Sequence, residues 1–195
     1  MKTIVDLIPK LEGWCDVPKA ITLYNLVLAT FPKTIVEIGV FGGRSAIPMM
    51  MACKENGFGN VNCVDPWSST ASVEGQIGEE HKQYWASVDH EKVFQNFQAA
   101  VITLNLTGHC LIHRFKSSDY KPPFAIDLLH VDGNHGAQAM EDTIKFASRV
   151  VPGGYCCLDD CAWVGGFVGK SAEWLKQNGF IELHPLGTGA LFYKV

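Results

Sequence analysis

Three aspartates follow two apolar segments of the chain, and together they could bind a divalent metal. Asp132 follows residues 125–131, and Asp159 and Asp160 follow residues 154–158. If these segments are adjacent parallel strands, their carboxyl ends lie about 4.8 Å apart and the three carboxylates converge. Such carboxylates repel one another, and a hard cation relieves the repulsion through oxygen ligands. The spacing therefore predicts a metal site of Asp132, Asp159 and Asp160, with Mg²⁺ as the favoured ion.

A glycine-rich turn near the start of the chain has the residues needed to hold a nucleotide-like cofactor. Residues 36–45, Val-Glu-Ile-Gly-Val-Phe-Gly-Gly-Arg-Ser, join a predicted strand to a predicted helix. Glycines let the backbone approach a ligand closely, and the helix N-terminus offers free N–H groups. The spacing of Gly39 and Gly43 differs from the dinucleotide fingerprint, which counts against an NAD enzyme. Asp65, at the end of the next strand, could accept hydrogen bonds from both hydroxyls of a ribose.

These residues can meet only if a sheet collects several strand ends at one edge. Helices are predicted at residues 4–11, 18–30, 45–56, 91–106, 138–151 and 170–178, and strands at 34–40, 60–65, 110–115, 125–131, 154–158, 180–184 and 190–195. The alternation of strands and helices predicts a parallel sheet covered on both faces. The last two strands are separated by only five residues, too few for a parallel crossover. The predicted fold is therefore α/β: a Rossmann-like, doubly wound, mainly parallel seven-stranded sheet with a C-terminal antiparallel hairpin.

The 195 residues are expected to form one domain. Helices at 1–33 precede the Rossmann-like core at 34–195. Within the core, residues 66–89 have no clear period and are rich in Ser, Gly and Glu, apart from a helical stretch near 79–85. A segment of this length and composition is typical of a lid over a ligand site.

Composition excludes several classes of protein. The net charge of -4 with no basic run counts against nucleic-acid binding, and no apolar run approaches the ~20 residues that span a bilayer. The first residues do not resemble a secretory signal. Seven cysteines without zinc-ligand spacing predict buried or half-buried free thiols in a reducing compartment, which indicates the cytoplasm. The possibility of a homo-oligomer stays open.

The order of the glycine-rich turn and the acidic strand end resembles the class I S-adenosylmethionine-dependent methyltransferases. Glu37-x-Gly39 with Gly43 corresponds to their first motif, and Asp65 to the acid that ends their second strand. The resemblance implies that Glu37, Gly39 and Gly43 line the methionine end of S-adenosylmethionine and that Asp65 holds the ribose. It also implies further cofactor contacts from Pro66 and Trp67 beside the nucleoside, Ser117 and Ser118 near the adenine, and Asp132.

The second half of the chain resembles the metal-dependent O-methyltransferase branch, most closely the macrocin O-methyltransferase and cephalosporin hydroxylase-like groups. The matching residues are Asp132-Gly-Asn-His135, Pro152-Gly-Gly154 and Asp159-Asp160. The resemblance implies metal-assisted O-methylation of a small-molecule hydroxyl, on a sugar or a phenol, with His135 as general base and Asp132 in the catalytic group. Gly136-Ala137 replaces an aromatic residue that is common there, which leaves the substrate class open.

Two other functions stay open. The chain could be a catalytically inactive module that binds S-adenosylmethionine or a nucleotide. It could also be a related metal-dependent enzyme of the hydroxylase-like group, although an iron triad needs two histidines and only His135 lies near the acids. Trp67, Trp85 and Trp163 are candidate walls for an acceptor.

Overall fold

The sheet has the predicted architecture. A computed structural model describes residues 2–74, 78–161 and 167–195. Its strands are β1 (Thr34–Ile38), β2 (Asn60–Val64), β3 (Cys110–His113), β4 (Ile126–Val131), β5 (Val150–Leu158), β6 (Phe180–Leu186) and β7 (Gly189–Lys194). They lie in the order β3-β2-β1-β4-β5-β7-β6. The first five are parallel, whereas β7 runs antiparallel to both β5 and β6. The α/β prediction with a C-terminal hairpin is confirmed.

Helices cover both faces of this sheet. They are α1 (Lys2–Leu7), α2 (Val17–Thr30), α3 (Ala46–Asn56), α4 (Ser69–Val73), α5 (Glu79–Ser87), α6 (His90–Thr103), α7 (Ala137–Ala147) and α8 (Val168–Gln177). One core contains buried residues of α2, α3 and α6, such as Leu23, Ile47 and Phe97. The other contains residues of α7 and α8, such as Phe146 and Leu175. Each strand of the centre is therefore buried on both sides, as expected for a parallel sheet.

Helix α2 matters for the site because it carries a buried charge. Asp16 caps its N-terminus and accepts a hydrogen bond from the backbone N–H of Lys19 at 2.7 Å. Lys19, Leu23 and Val27, spaced four residues apart, all lie on its buried face. The helix ends at Thr30, and the C-cap residue Phe31 has a left-handed backbone with a φ of 51°. The cap and the apolar residues thus hold the Lys19 side chain against the sheet.

Hydrogen bonds between strand ends align the edge of the sheet where the predicted site residues lie. The N–H of Gly39 donates to the carbonyl of Val64 at 3.0 Å, and that of Asp132 donates to Ile38 at 2.8 Å. The N–H of Asp159 donates to Val131 at 2.9 Å. The ends of β1, β2, β4 and β5 are thereby held together.

Some boundaries differ from the prediction. Strand β5 begins at Val150 rather than at residue 154, with a register shift against β4, and α7 ends at Ala147 rather than at 151. The predicted lid contains α4, which the sequence did not indicate, and α5, which it did. All seven cysteines are free and buried or half-buried, as predicted. In the described ranges, no helix combines the length and apolar character needed to cross a bilayer.

Candidate active site

A cavity of about 1000 Å³ opens at the carboxyl ends of β1, β2, β4 and β5. Parallel α/β sheets place their ligand sites at this edge. Of the predicted site residues, those that line the cavity are Gly39, Asp65, Pro66, Ser117, Asp132, His135, Asp159 and Asp160. Glu37, Gly43, Trp67 and Ser118 are not among its lining residues. Trp163 lies outside the described residues.

The two predicted glycines have different roles. Gly39 has a φ of +83°, and a Cβ built on it would lie 2.2 Å from the backbone oxygen of Asp132. A residue without a side chain is therefore required where β1 and β4 end side by side. Gly43 has a φ of +84°, and its Cβ would lie 2.6 Å from the ring of Phe97 in the core. Gly43 thus shapes the loop from beneath, whereas Gly39 forms part of the cavity wall.

Asp65 supports the glycine-rich loop from the end of β2. Its Oδ2 accepts hydrogen bonds from the backbone N–H groups of Val40 and Phe41, both at 2.9 Å. Its Oδ1 accepts one from the N–H of Trp67 at 2.7 Å. Burial raises the pKa of this carboxyl above its ordinary value, although the three N–H donors act in the opposite direction. The carboxylate therefore holds the loop in shape as well as facing the cavity.

Trp67, two residues after Asp65, lies in the core and does not line the cavity. Trp67 is buried, packs against Phe94 with ring centroids 4.8 Å apart, and donates its indole N–H to the carbonyl of Phe41. Trp67 therefore stabilises the loop from the core side.

Of the two serines in the loop after β3, only Ser117 lines the cavity. Its hydroxyl donates a hydrogen bond to Asp142 at 2.9 Å. The described hydrogen bonds of Ser118 are with Asp119 and Lys145.

Glu37 lies beneath the cavity in a fully buried polar group. Its Oε1 accepts a hydrogen bond from the hydroxyl of Ser45 and lies 2.9 Å from Nδ1 of His130. Glu37 and His130 are register partners on β1 and β4. Among the described residues, neither Glu37 Oε2 nor His130 Nε2 has a hydrogen-bond partner. Glu37 does not line the cavity, so it could influence the methionine end of the cofactor only indirectly, through this polar group or through Ser45, which does line the cavity.

Two of the three predicted metal ligands contact a lysine. Lys19 Nζ is hydrogen-bonded to Oδ2 of Asp159 and lies 3.6 Å from Oδ2 of Asp132. Burial disfavours charge on Asp159, but the Lys19 ammonium outweighs it and lowers the Asp159 pKa to about 2. Burial raises the pKa of Asp132 to about 7. Burial also opposes charge on Lys19, but the two carboxylates prevail and raise its pKa. The group is thus an ammonium shared by two aspartates.

The third predicted ligand faces a different partner. Asp160 Oδ2 lies 2.8 Å from Nε2 of His135, and its Oδ1 accepts a hydrogen bond from the Thr188 hydroxyl at 2.8 Å. The hydrogen bond with His135 lowers the pKa of Asp160. Asp160 has a left-handed backbone with a φ of +52°, uncommon for a residue with a side chain. Asp160 thus pairs with His135, and the Thr188 hydroxyl, which also lies 3.3 Å from Oδ1 of Asp159, links the two neighbouring aspartates.

The donor set fits a divalent cation only in part. His130, Asp132 and Asp159 each offer one ligand atom, and these atoms lie within 4.8 Å of one another. Carboxylate oxygens suit Mg²⁺, but a histidine nitrogen is a less usual ligand for it. The Lys19 ammonium contacts both carboxylates, and Asp160 is engaged by His135. The three aspartates therefore do not form an open cation site in this arrangement.

The N-terminal segment forms a wall of the cavity that sequence reasoning missed. The Arg44 side chain donates to the backbone oxygens of Ile8 and Gly13, which ties this segment to the glycine-rich loop. Trp14 stacks on Phe41 with ring centroids 5.3 Å apart. Trp14, Cys15, Asp16 and Lys19 line the cavity, together with Tyr84 and Trp85 of α5. A lysine on the apolar stripe of α2 was the one signal in the sequence that could have indicated this wall.

Comparison with known families agrees with this geometry. The family described as a methyltransferase domain matches residues 36–161, about two thirds of the chain. This range contains the glycine-rich loop, Asp65 and the acids at the ends of β4 and β5. No curated protein matches the sequence significantly.

Solved structures with the same fold include several O-methyltransferases. The O-methyltransferase NovP has a TM-score of 0.71 at 16% identity, with 92% of this chain and 80% of NovP covered. TomG of Streptomyces achromogenes, solved with S-adenosylmethionine, has a TM-score of 0.65 at 13% identity, with 100% and 88% covered. A putative caffeoyl-CoA O-methyltransferase of Staphylococcus aureus has a TM-score of 0.63 at 13% identity, with 98% and 88% covered. At these identities the likeness establishes the fold.

Proposed function

The chain belongs to the methyltransferase domain family and is an S-adenosylmethionine-dependent methyltransferase, and we propose that it methylates a hydroxyl oxygen of a small molecule. The observation that carries the choice of a hydroxyl acceptor is the pair of His135 and Asp160, which faces the same cavity as the glycine-rich loop. A hydroxyl must lose its proton to become a good nucleophile, and a histidine held by a carboxylate is suited to accept it.

The cofactor is proposed to lie along the glycine-rich loop. Gly39 leaves space for the methionine end, Asp65 and Pro66 face the ribose, and Ser117 lies at the adenine end. Asp132, beside Gly39, is positioned near the reacting end. When bound, S-adenosylmethionine supplies a methyl group on a sulfonium, and transfer of that group to oxygen leaves a neutral thioether.

The chemical step assigned to this chain is removal of one proton. Because Nε2 of His135 faces Asp160, the acceptor hydroxyl passes its proton to Nδ1 of the imidazole as its oxygen forms the new bond to the methyl carbon. Asp160, 2.8 Å from Nε2, fixes the orientation of the ring and stabilises the imidazolium that forms. Thr188 holds the other Asp160 oxygen in place. Proton transfer by a positioned residue contributes typically 10²–10⁴-fold to a rate.

The walls of the cavity favour a flat acceptor. Trp14, Tyr84 and Trp85 form an aromatic group around Phe41, with neighbouring ring centroids 5.3–5.7 Å apart. The Trp14 side chain is 62% exposed, so that a bound ring could cover it. A phenol-like hydroxyl therefore fits these walls better than a sugar.

The divalent metal that the sequence predicts at this site would require a rearrangement of the side chains. Mg²⁺ bound by Asp132 and Asp159 would polarise the acceptor oxygen, but the Lys19 ammonium would first have to leave these carboxylates. No step above depends on the metal. The hydroxylase-like alternative fits less well, because the metal-ligand cluster found among the described residues has one histidine and an iron triad needs two.

The test has two stages. Calorimetric titration of the purified protein with S-adenosylmethionine should give saturable binding, and its absence would contradict the cofactor assignment. Catechols, simple phenols and sugars are then offered with the cofactor, and the release of S-adenosylhomocysteine is measured. Binding without transfer to any of them would favour the inactive module.

With an active acceptor, His135→Ala should lower the single-turnover rate by ~10²–10⁴-fold. His184→Ala, at an exposed histidine of β6, is the matched control and should keep the rate. A loss of less than threefold in His135→Ala would show that this residue is not the base.

A further inference from the structure

Lys19 lies on helix α2, whereas the two carboxylates that it contacts, Asp132 and Asp159, lie at the ends of β4 and β5. It lies on the first turn of α2, and its side chain is 5% exposed. The Asp16 cap and the buried residues Ala20 and Leu23 hold this turn against the sheet. A lysine is rarely buried without a partner, because desolvation of its charge is costly. Its position is therefore explained only by what its ammonium contacts.

Those contacts lie where a metal ion would have to bind. Lys19 Nζ is hydrogen-bonded to Oδ2 of Asp159 and is 3.6 Å from Oδ2 of Asp132. Oxygens of the same two carboxylates, with a nitrogen of His130, form the metal-ligand cluster found among the described residues. An ammonium in contact with both carboxylates excludes an ion that must approach them to about 2.1 Å.

This group already contains a cation without a metal. The Lys19 ammonium compensates the charge of the Asp159 carboxylate and also lies 3.6 Å from the Asp132 carboxylate. A divalent ion added to this group would meet a positive charge within a few ångströms, in a buried setting where repulsion is weakly screened. It would also lack its third carboxylate, because Asp160 is held by His135 and Thr188.

We propose that the Lys19 ammonium is the resident cation of this site, so that the protein binds no divalent metal between Asp132 and Asp159. An ammonium has three N–H donors. One of them is used by the hydrogen bond to Asp159, so that another can orient an acceptor oxygen at the cavity wall. Lys19 is thus a positioning residue that supplies positive charge where a related enzyme would use a metal ion. This role in transfer rests on the proposed function, whereas the exclusion of metal does not.

The experiment removes the ammonium and asks whether a metal takes its place. Wild type, Lys19→Met and Lys19→Arg are melted with MgCl₂ or MnCl₂, against KCl of equal ionic strength. Lys19→Met should be destabilised without metal and gain about 5–10 °C at a hundredfold excess over its Kd. Wild type and Lys19→Arg should not respond, because each keeps a cation in place. Titration calorimetry with MnCl₂ should detect binding to Lys19→Met alone.

Two further variants keep the result interpretable. Lys33→Met changes an exposed lysine just before β1, at the opposite edge of the sheet, and should behave as wild type. Lys19→Met with Asp159→Asn removes the charge of both partners. It should fold without metal and show no metal response, which locates at Asp159 the ion that binds Lys19→Met. If Lys19→Met does not fold without metal, recovery of its fold on addition of MnCl₂ is the response that is measured.

Three outcomes would overturn the inference. Stabilisation of the wild type by either metal as large as that of Lys19→Met would show that Lys19 does not exclude the ion. Failure of a folded Lys19→Met to respond would show that these carboxylates bind no metal even without the ammonium, so that Lys19 does not stand in the place of an ion. A response in the double variant would place the ion elsewhere. Binding of S-adenosylmethionine by the wild type is measured in parallel, so that failure of the proposed function is seen separately.

Discussion

Gly39→Ala is expected to be severely destabilising, and Gly57→Ala provides a matched control. Both glycines have left-handed backbones, with φ values of +83° and +78°. A Cβ on Gly57 meets nothing within 4 Å, whereas one on Gly39 would lie 2.2 Å from the Asp132 oxygen. The two substitutions therefore cause similar backbone strain, but only Gly39→Ala also causes a steric clash with the neighbouring strand.

The collision sets the magnitude of the difference. Left-handed alanine costs roughly 1–2 kcal/mol, which is all that Gly57→Ala should lose. At Gly39, ordinary contact begins at 3.4 Å, so the β1 and β4 ends would have to separate by about 1.2 Å. That movement weakens the hydrogen bond from the Asp132 N–H to Ile38, worth roughly 1–3 kcal/mol, and adds roughly 1–3 kcal/mol of packing strain. The total of about 3–8 kcal/mol is comparable with the whole stability of many domains.

Urea unfolding, followed by tryptophan fluorescence and circular dichroism at 25 °C, measures both variants on the same scale. Calorimetry with S-adenosylmethionine then tests whether any folded Gly39→Ala keeps its cofactor site. A difference of less than about 1 kcal/mol between the two variants would refute the argument that close approach of the strands requires Gly39.

Two other substitutions test the polar groups around the cavity. Asp65→Asn places an amide N–H₂ against backbone N–H donors. The substitution should lower the free energy of unfolding by about 2–4 kcal/mol, as measured by urea unfolding. It should also weaken the binding of S-adenosylmethionine at least tenfold, as measured by calorimetry. Wild-type values would show that Asp65 neither supports the loop nor holds the cofactor. Burial raises the pKa of Asp142 above its ordinary 3.8, so the folded chain keeps a proton that the unfolded chain has lost. The stabilisation is present below pH 3.8 and is lost as pH rises through the folded pKa. Wild type should therefore lose stability relative to Asp142→Asn across that window, and parallel curves would contradict the assignment.

Periodicity and strand-end residues were enough to predict the sheet, because burial on both faces leaves a clear pattern in the sequence. Residues 150–153 of β5 were missed because Pro152 and Gly153 have low strand propensity. Pairing with β4 overrides that propensity through a register shift. The hairpin was predicted correctly because the length of its connection allows only one direction.

The directions of side chains could not be predicted in the same way. Asp159 and Asp160 are neighbours in the sequence, and nothing in their order shows that Asp159 pairs with Lys19 whereas Asp160, with its left-handed backbone, pairs with His135. Glu37 belongs to a strand in which alternate residues face opposite sides, and its pairing with His130 depends on the register between two distant strands. Sequence therefore located the acids at the correct edge without showing which of them act together.

The cation of this site is supplied by a part of the chain that the family match does not include. The matched range begins at residue 36, whereas Lys19 lies on α2. The carboxylates of Asp132 and Asp159 would suit either a lysine or a metal, so their presence cannot decide between the two. The decision depends on the helix that packs over them, and Arg44 ties the segment preceding that helix to the glycine-rich loop. Whether such a site needs a metal is therefore a property of the N-terminal segment together with the core.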